Sequence, residues 1–238
     1  MAGGSLSSST AIMSMPVVLL HGVRLHAIRE SQCVDSILEA LDSGYGGSVS
    51  TMNLDHLRRF ARYTDHAALY GKASILTADG MPLIWASNLR GTPLPERVTG
   101  SNLIFSLCEG AALAGRSVFF LGGAPEAAQN AATVLAHRYP GLAVAGVSSL
   151  PTEDGGDKEE WEKIALTVAA ARPDIVFVAL GSPKQERLIE SLRPILPSSW
   201  WIGVGIAFSF VARYGCSRPV WSGFTGLLKS LGDLRDGT

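Results

Sequence analysis

Four polar strings in this sequence each stand at the end of a predicted strand and carry side chains that could do chemistry. They are Thr51-Met52-Asn53, Ala78-Asp79-Gly80, Gly122-Gly123 and Gly181-Ser182-Pro183-Lys184-Gln185-Glu186. A carboxylate such as that of Asp79 can deprotonate the hydroxyl group of an acceptor. Adjacent glycines let the backbone approach a phosphate, whose charge is favoured at the start of a helix. If the fold gathers these strings, they form one shared site.

Two of these strings also have a plain structural explanation. Asp79 and Gly80 suit an ordinary turn in which the aspartate caps the following helix. Gly122 and Gly123 suit a tight connection between a strand and a helix. They do not form the G-x-G-x-x-G pattern of dinucleotide-binding proteins, which counts against a dinucleotide-dependent oxidoreductase.

The charged candidates leave two interpretations open. Arg97 stands beside Glu96, so it suits either a solvated ion pair or a guanidinium directed at a phosphate. Lys184 opens a predicted helix, where its charge opposes the helix dipole, and this indicates an anionic ligand or a neighbouring carboxylate. Glu186, beside Gln185, either compensates that dipole or contributes to binding.

Strands and helices that alternate along the chain must position these residues. Apolar or β-rich segments bounded by turn residues predict strands at 17–20, 48–52, 74–77, 117–121, 142–147, 175–180 and 199–204. Helical spacing predicts helices at 31–41, 54–60, 82–88, 101–114, 126–138, 161–171 and 184–192. The alternation predicts an α/β fold with a mostly parallel sheet and helices on both faces. All four polar strings then lie at the carboxyl ends of strands, where open parallel sheets bind their ligands.

Composition narrows the class of protein. The chain has 238 residues, of which 47% are hydrophobic and 17% charged, with a formal net charge of -1. This balance gives no electrostatic reason to expect a nucleic acid partner. Its three cysteines are widely separated and lack metal-ligand spacing, so we expect free thiols, neither a disulfide nor a metal site.

The termini and the longest apolar stretch predict the location. The first twenty residues contain no Lys or Arg, unlike a signal peptide. The apolar stretch 200–212 is shorter than the ~20 residues that span a bilayer. We therefore expect a cytoplasmic protein with, at most, peripheral membrane contact. The predicted organisation is a disordered tail over 1–15, a single α/β domain over 16–212 and a separate tail over 213–238.

Taken together, the strings are more specific than any one alone. In order along the chain they are Thr51-Met52-Asn53, Ala78-Asp79-Gly80-Met81-Pro82, Glu96-Arg97-Val98-Thr99-Gly100, Phe120-Leu121-Gly122-Gly123, Tyr139-Pro140 and Leu180-Gly181-Ser182-Pro183-Lys184-Gln185-Glu186. This set resembles the WecG/TagA/CpsF family of bacterial glycosyltransferases over roughly residues 22–212. The resemblance implies a Rossmann-like fold and an inverting sugar transfer from a UDP-sugar donor, with no metal or other cofactor. It also implies an acceptor sugar linked to undecaprenyl diphosphate.

The resemblance assigns roles to individual residues. The aspartate that acts as the base falls on Asp79, the Thr and Asn of the T-x-N string fall on Thr51 and Asn53, and the family's Arg and Gln fall on Arg97 and Gln185. The leaving diphosphate needs positive charge and amide donors. Besides the arginine, the candidates to supply them are Gly122, Gly123 and Lys184. The apolar composition also permits a homo-oligomeric interface.

The chain departs from the family pattern after Val204. Ser209 stands where the family has an acidic residue near the nucleotide, and the stretch that ends at Thr238 lacks the family's basic tail. Two hypotheses therefore stay open. The first is an active glycosyltransferase, and the second is a degenerate relative that binds a nucleotide-sugar without turnover.

Overall fold

The structure is a computed structural model, which describes residues 12, 14–124, 126–149 and 158–214. Eight strands are present in this part of the chain: β1 (Val17–Leu20), β2 (Val23–His26), β3 (Gly47–Met52), β4 (Ile75–Ala78), β5 (Ser117–Gly122), β6 (Ala143–Ser148), β7 (Ile175–Ala179) and β8 (Trp200–Gly203). Strands β3 to β8 form one six-stranded sheet in the order β4-β3-β8-β7-β5-β6, and every pair in it is parallel.

Nine α-helices are described. They are α1 (Glu30–Asp42), α2 (Leu54–Arg62), α3 (Thr64–Gly71), α4 (Met81–Leu89), α5 (Gly100–Ala114), α6 (Ala127–Arg138), α7 (Lys158–Ala171), α8 (Lys184–Leu192) and α9 (Ala207–Tyr214). A 3-10 turn, Arg193–Ile195, follows α8. Most helices directly follow a strand, as the alternating sequence pattern predicts.

The sheet is apolar on both faces because alternate residues of each strand point to opposite sides. In β5, Val118 and Phe120 pack with residues of α1, α5, α6 and α9 on one face. The intervening Phe119 and Leu121 pack with residues of α7 and α8 on the other face. The hairpin β1–β2, with α2 and α4, covers the β3–β4 end of this second face. The prediction of a parallel sheet with helices on both faces is therefore confirmed.

Three elements were not predicted from the sequence. Strand β2 pairs antiparallel with β1, and the two-residue turn His21-Gly22 joins them with both residues at positive φ. Such turns match the twist of a hairpin, but here Gly22 follows a histidine and the usual Asn-Gly or Asp-Gly signal is missing. Helices α3 and α9 were missed because each has only eight residues.

The topology creates a crevice in the middle of the sheet. Helix α8 follows β7 and packs on one face, whereas α9 follows the neighbouring strand β8 and packs on the other. Helices that leave adjacent strands in opposite directions open a cleft above the carboxyl ends of those strands. The residues of this edge form the candidate site.

Some sequence-based expectations concern residues outside the described ranges. Most of the 1–15 segment lies there, as do Cys216, Arg218 and the rest of the 213–238 segment beyond Tyr214. In the described part of the chain, no helix is both long and apolar enough to cross a membrane. Cys33 and Cys108 are free, buried thiols, and burial raises the pKa of Cys33 to about 12, as expected of unreactive cysteines.

Candidate active site

Asp79 lies directly after β4, at the carboxyl edge of the sheet. Its backbone N–H donates to the Met52 carbonyl at 2.7 Å, which extends the parallel β3–β4 ladder by one residue. Its Oδ2 accepts a hydrogen bond from Thr51 Oγ1 at 3.3 Å, and its Oδ1 lies 3.8 Å from Arg97 Nη1. The side chain keeps 30% of its surface accessible, so a substrate can reach the carboxylate.

Two opposing effects act on this carboxyl group. Burial raises the pKa of Asp79 above its ordinary value, and this effect prevails over the lowering by Arg97, Thr51 and His56. A carboxylate is a stronger base when its pKa is raised, because it gains more from binding a proton. Burial therefore makes Asp79 a stronger proton acceptor than an exposed aspartate, while Arg97 and Thr51 stabilise its charged form.

The Thr51-Met52-Asn53 string turns from β3 into α2. The side chain of Asn53 caps α2, since its Oδ1 accepts the backbone N–H of His56 at 2.9 Å. The His56 ring then lies with Nδ1 3.2 Å from the Thr51 carbonyl. The string thus holds Thr51 beside Asp79. It also brings the imidazole of His56 to the same edge, a residue that the sequence analysis did not single out.

In the string Glu96 to Gly100, the neighbours of Arg97 on both sides, Glu96 and Val98, fix the segment that carries it. The Glu96 carboxylate accepts the N–H of Glu30 at 3.3 Å, at the start of α1. The Val98 N–H donates to the carbonyl of Ala78 at 3.0 Å, so the chain runs beside the end of β4. Arg97 therefore projects from a segment that is fixed on both sides, next to the residue that follows Ala78.

The end of this string fixes the start of α5. The hydroxyl of Thr99 accepts the N–H of Asn102 at 3.1 Å and caps the helix. Gly100 lies so close to β8 that a Cβ atom there would come within 2.6 Å of the Gly203 carbonyl oxygen. Only glycine allows this approach, which brings the positive end of the α5 dipole to the centre of the sheet edge.

Gln185 and Glu186 are buried in the first turn of α8. Gln185 Oε1 accepts the N–H of Gly205 at 2.9 Å, and its Nε2 donates to Glu186 Oε1 at 2.9 Å. Glu186 Oε2 is buried and has no hydrogen-bond partner among the described residues. The pair therefore links α8 to the loop after β8 and leaves an acceptor oxygen under the crevice.

Tyr70 lies in the same neighbourhood, although no pattern in the sequence singles it out. Its hydroxyl group lies 2.7 Å from Ser182 Oγ, which joins α3 to the loop after β7. Burial raises the pKa of Tyr70, and the negative charge of Glu186 raises it further, so the phenol stays neutral. A Tyr within a short helix has no periodic signal that could have identified this contact.

Gly122 and Gly123 both adopt positive φ at the end of β5. The Gly123 N–H donates to the Ala179 carbonyl at 2.6 Å, so this amide is engaged inside the protein. A Cβ atom on Gly122 would lie 2.8 Å from that same carbonyl oxygen. The pair thus permits close packing of β5 on β7, as the tight-turn interpretation requires.

The predicted residues spread along the whole edge. Asp79, Thr51 and Arg97 meet at one end, and Gln185 and Glu186 lie at the middle crevice. Gly122 and Gly123 lie four strands from Asp79, or roughly 19 Å at the usual strand spacing. Lys184 is exposed at the start of α8. Among the described residues, no group of three or more His, Cys, Asp and Glu side chains could hold a metal ion.

The sequence of the chain matches a known protein family and individual proteins with assigned activities. The model of the family described as "Glycosyl transferase WecG/TagA/CpsF family" matches residues 18–227. Two similar proteins are both named N-acetylglucosaminyldiphosphoundecaprenol N-acetyl-beta-D-mannosaminyltransferase. The one from Bacillus spizizenii strain W23 is 32% identical over 168 residues, which are 71% of this chain and 63% of that protein. The one from Bacillus subtilis strain 168 is 25% identical over 181 residues, or 76% and 68% of the two chains. The matched part thus spans less than two thirds of the first relative.

Proposed function

The chain belongs to the WecG/TagA/CpsF family of glycosyltransferases, and on that premise we propose that it transfers a sugar from a UDP-sugar to a sugar carried on undecaprenyl diphosphate. The observation that carries the proposal is the position of Asp79. It is accessible at the carboxyl edge of a parallel sheet, with Thr51 and Arg97 on its two oxygens.

In the proposed reaction, Asp79 takes the proton of the acceptor hydroxyl group. The hydroxyl oxygen attacks the anomeric carbon of the donor sugar from the face opposite the diphosphate. The bond from that carbon to the diphosphate oxygen then breaks, and UDP leaves with the electron pair. One proton moves to the carboxylate, and the new glycosidic bond replaces the bond between the donor sugar and the diphosphate. Because the reaction is a single displacement, the anomeric configuration is inverted.

Charge at the sheet edge supports the departure of the diphosphate. The helices α2, α4, α5, α8 and α9 all begin at this edge, because each follows the carboxyl end of a strand or the loop beyond it. Their positive dipole ends face an anion bound there. Arg97 adds a formal positive charge beside Asp79, so in the proposal the leaving group lies between Arg97 and the central crevice.

The edge is long enough to bind the sugar of the donor at one place and its nucleotide at another. We place the reacting sugar at Asp79 and the nucleotide toward the crevice at Gln185 and the glycine pair. Gly123 is assigned a packing role in this arrangement, since its amide is already bonded. Because the acceptor is held in a bilayer, the proposal also includes peripheral contact with the cytoplasmic face of the membrane.

The test is release of UDP from a panel of UDP-sugars, with and without an N-acetylglucosaminyl-diphosphate lipid. The wild-type chain is compared with Asp79→Asn and with Asp35→Asn, a matched change at an exposed aspartate of α1. We expect acceptor-dependent UDP release that falls by about 10²–10⁴-fold in Asp79→Asn and stays unchanged in Asp35→Asn.

Binding of the donor separates the two functional hypotheses. Saturable UDP-sugar binding without any turnover in the wild-type chain would favour a degenerate nucleotide-sugar-binding protein. Equal turnover in Asp79→Asn and wild type would show that another group is the base. Retention of donor affinity in an inactive Asp79→Asn variant is the result that the proposal requires.

A further inference from the structure

A second surface beside the active site has no role in the reaction described so far. It is an apolar groove of about 300 Å³ between α2 and α4, closed on one side by the β1–β2 turn. Leu57 and Leu83 are buried at its floor, and Leu54, Pro82, Ala86 and Leu89 line it further out. We name it the α2–α4 groove. Its volume lies at the lower end of the range for small-ligand pockets.

The inner end of this groove adjoins the catalytic residues. Leu54 follows the cap residue Asn53, and Pro82 lies three residues after Asp79. Gly80 separates the two regions: a Cβ atom there would lie 3.9 Å from Cβ of Asn53 and 4.0 Å from Cδ1 of Leu83. The catalytic residues and the groove are therefore neighbours, separated only by the chain at Asn53 and Gly80.

Exposed apolar side chains flank the groove along α4. Met81, Trp85 and Leu89 are spaced four residues apart on α4, so they share one face of the helix. Leu89 is 90% exposed and Trp85 is 49% exposed. A contiguous apolar face of this kind on a protein surface marks a contact with an apolar partner. Trp at such a face is typical of a protein that meets the interfacial layer of a bilayer.

We propose that the α2–α4 groove binds the isoprenoid chain of the lipid-linked acceptor next to its diphosphate, with the α4 face directed at the membrane. This inference rests on the proposed function, which supplies the acceptor. The donor is polar throughout, so the isoprenoid is the part of the two substrates that gains from an apolar lining. Arg90 lies at the outer end beside Leu89, where its charge faces the anionic head groups of a bilayer.

The first experiment varies the length of the lipid. N-acetylglucosaminyl-diphosphate acceptors with one to four isoprene units are compared in detergent-free solution, below their aggregation limits. We expect kcat/KM of the wild-type chain to rise with length until the groove is full. Ala86→Phe fills the groove and should remove about tenfold of the gain from the longer chains, since each buried methylene contributes to binding. The loss should be smallest with the one-unit acceptor, which occupies the least of the groove.

Leu89→Glu tests the outer end with little risk to folding, because the side chain is almost fully exposed. With acceptor embedded in vesicles that contain anionic lipid, we expect a loss of about tenfold in turnover, but no loss with the soluble one-unit acceptor. Leu113→Glu is the matched control, since Leu113 is 86% exposed on α5, away from the groove. It should behave as wild type in both assays.

A photoreactive isoprenyl diphosphate, used without donor, makes the groove measurable independently of turnover. We expect it to label the peptide that contains residues 81–89 in wild type and not in Ala86→Phe. Labelling without any turnover would sustain the groove and overturn the proposed function. Turnover that is insensitive to chain length in every variant, without labelling of α4, would overturn the groove and leave the transferase intact. That second result is also expected if a segment of this chain outside the described residues occupies the groove.

Discussion

Nη1 of Arg97 lies 3.8 Å from Oδ1 of Asp79, close enough for an ion pair and too far for a short hydrogen bond. The positive charge of Arg97 stabilises the carboxylate, but Oδ1 makes no short hydrogen bond to it and can still accept a proton. Thr51 approaches the other oxygen at only 3.3 Å. Asp79 is thus held in place by groups that leave it able to accept a proton, as a general base requires.

The first prediction concerns the pH dependence of turnover. The rate falls as pH drops through the pKa of the base, and burial raises that pKa while Arg97 lowers it. Removal of the cation in Arg97→Gln should therefore move the acidic limb of the kcat/KM profile to higher pH. Arg97→Lys, which keeps the charge, should leave the limb closer to wild type. An acidic limb that moves to lower pH in Arg97→Gln would contradict the assigned ion pair.

The second prediction is that Asp79→Asn stabilises the protein at neutral pH. A carboxyl group whose pKa is higher in the folded than in the unfolded state contributes stability below its unfolded pKa and loses it as pH rises through the folded pKa. The charged Asp79 is therefore a cost at pH 7, which asparagine removes. Thermal unfolding at several pH values should show a higher midpoint for the variant at pH 7, with the advantage shrinking as pH approaches 4. An advantage that grows toward acid pH would show that the carboxyl pKa is lowered instead.

The third prediction tests the close approach of α5 to β8. Gly100→Ala places a methyl group 2.6 Å from the Gly203 carbonyl oxygen and 2.9 Å from the Val204 Cα, so helix or strand must shift. We expect a loss of about 1–3 kcal/mol in the free energy of unfolding, measured with urea. Gly71→Ala is the control, because nothing lies within 4 Å of its Cβ position. It should be neutral or mildly stabilising, and equal losses in both variants would refute the packing argument.

The fourth prediction concerns the buried pair in α8. Gln185→Glu would place a second carboxyl group beside Glu186, at a position that is only 3% exposed. Two buried like charges cannot both ionise cheaply, so the introduced carboxyl group should have a raised pKa in the folded state. Stability should therefore be lowest at alkaline pH and recover as pH falls toward 5. Gln129→Glu, at an exposed site on α6, should show no such pH dependence. A pH-independent loss in Gln185→Glu would indicate lost hydrogen bonds alone.

Local patterns in the sequence determined most of the elements. Apolar runs and helical spacing predicted seven of the eight strands and seven of the nine described helices, with ends that differ by a few residues. The physical reason is that parallel strands buried on both faces are apolar along most of their length, whereas the helices that cover them are apolar on one side only. The same patterns placed the polar strings at the carboxyl ends of strands, because turn and helix-capping residues mark where each strand stops.

The strand order was decided by the tertiary structure, and with it the contents of the site. Nothing local in the sequence says that β8 inserts between β3 and β7, so the distance of the glycine pair from Asp79 was not predictable. The position of Arg97 beside Asp79 likewise depends on a long-range contact, that of Val98 with the end of β4. Side-chain identity determines what chemistry a residue can do, whereas its partner depends on packing between elements distant in sequence.

The α2–α4 groove also depends partly on the sequence and partly on the tertiary structure. The sequence contains its leucines in ordinary helical positions, where each one reads as a core residue. The groove exists because α2, α4 and the unpredicted β1–β2 turn meet without filling the space between them. Composition and periodicity determined that these helices would bury apolar faces. The shape left between those faces depends on crossing geometry, which side-chain volumes at several distant positions set together.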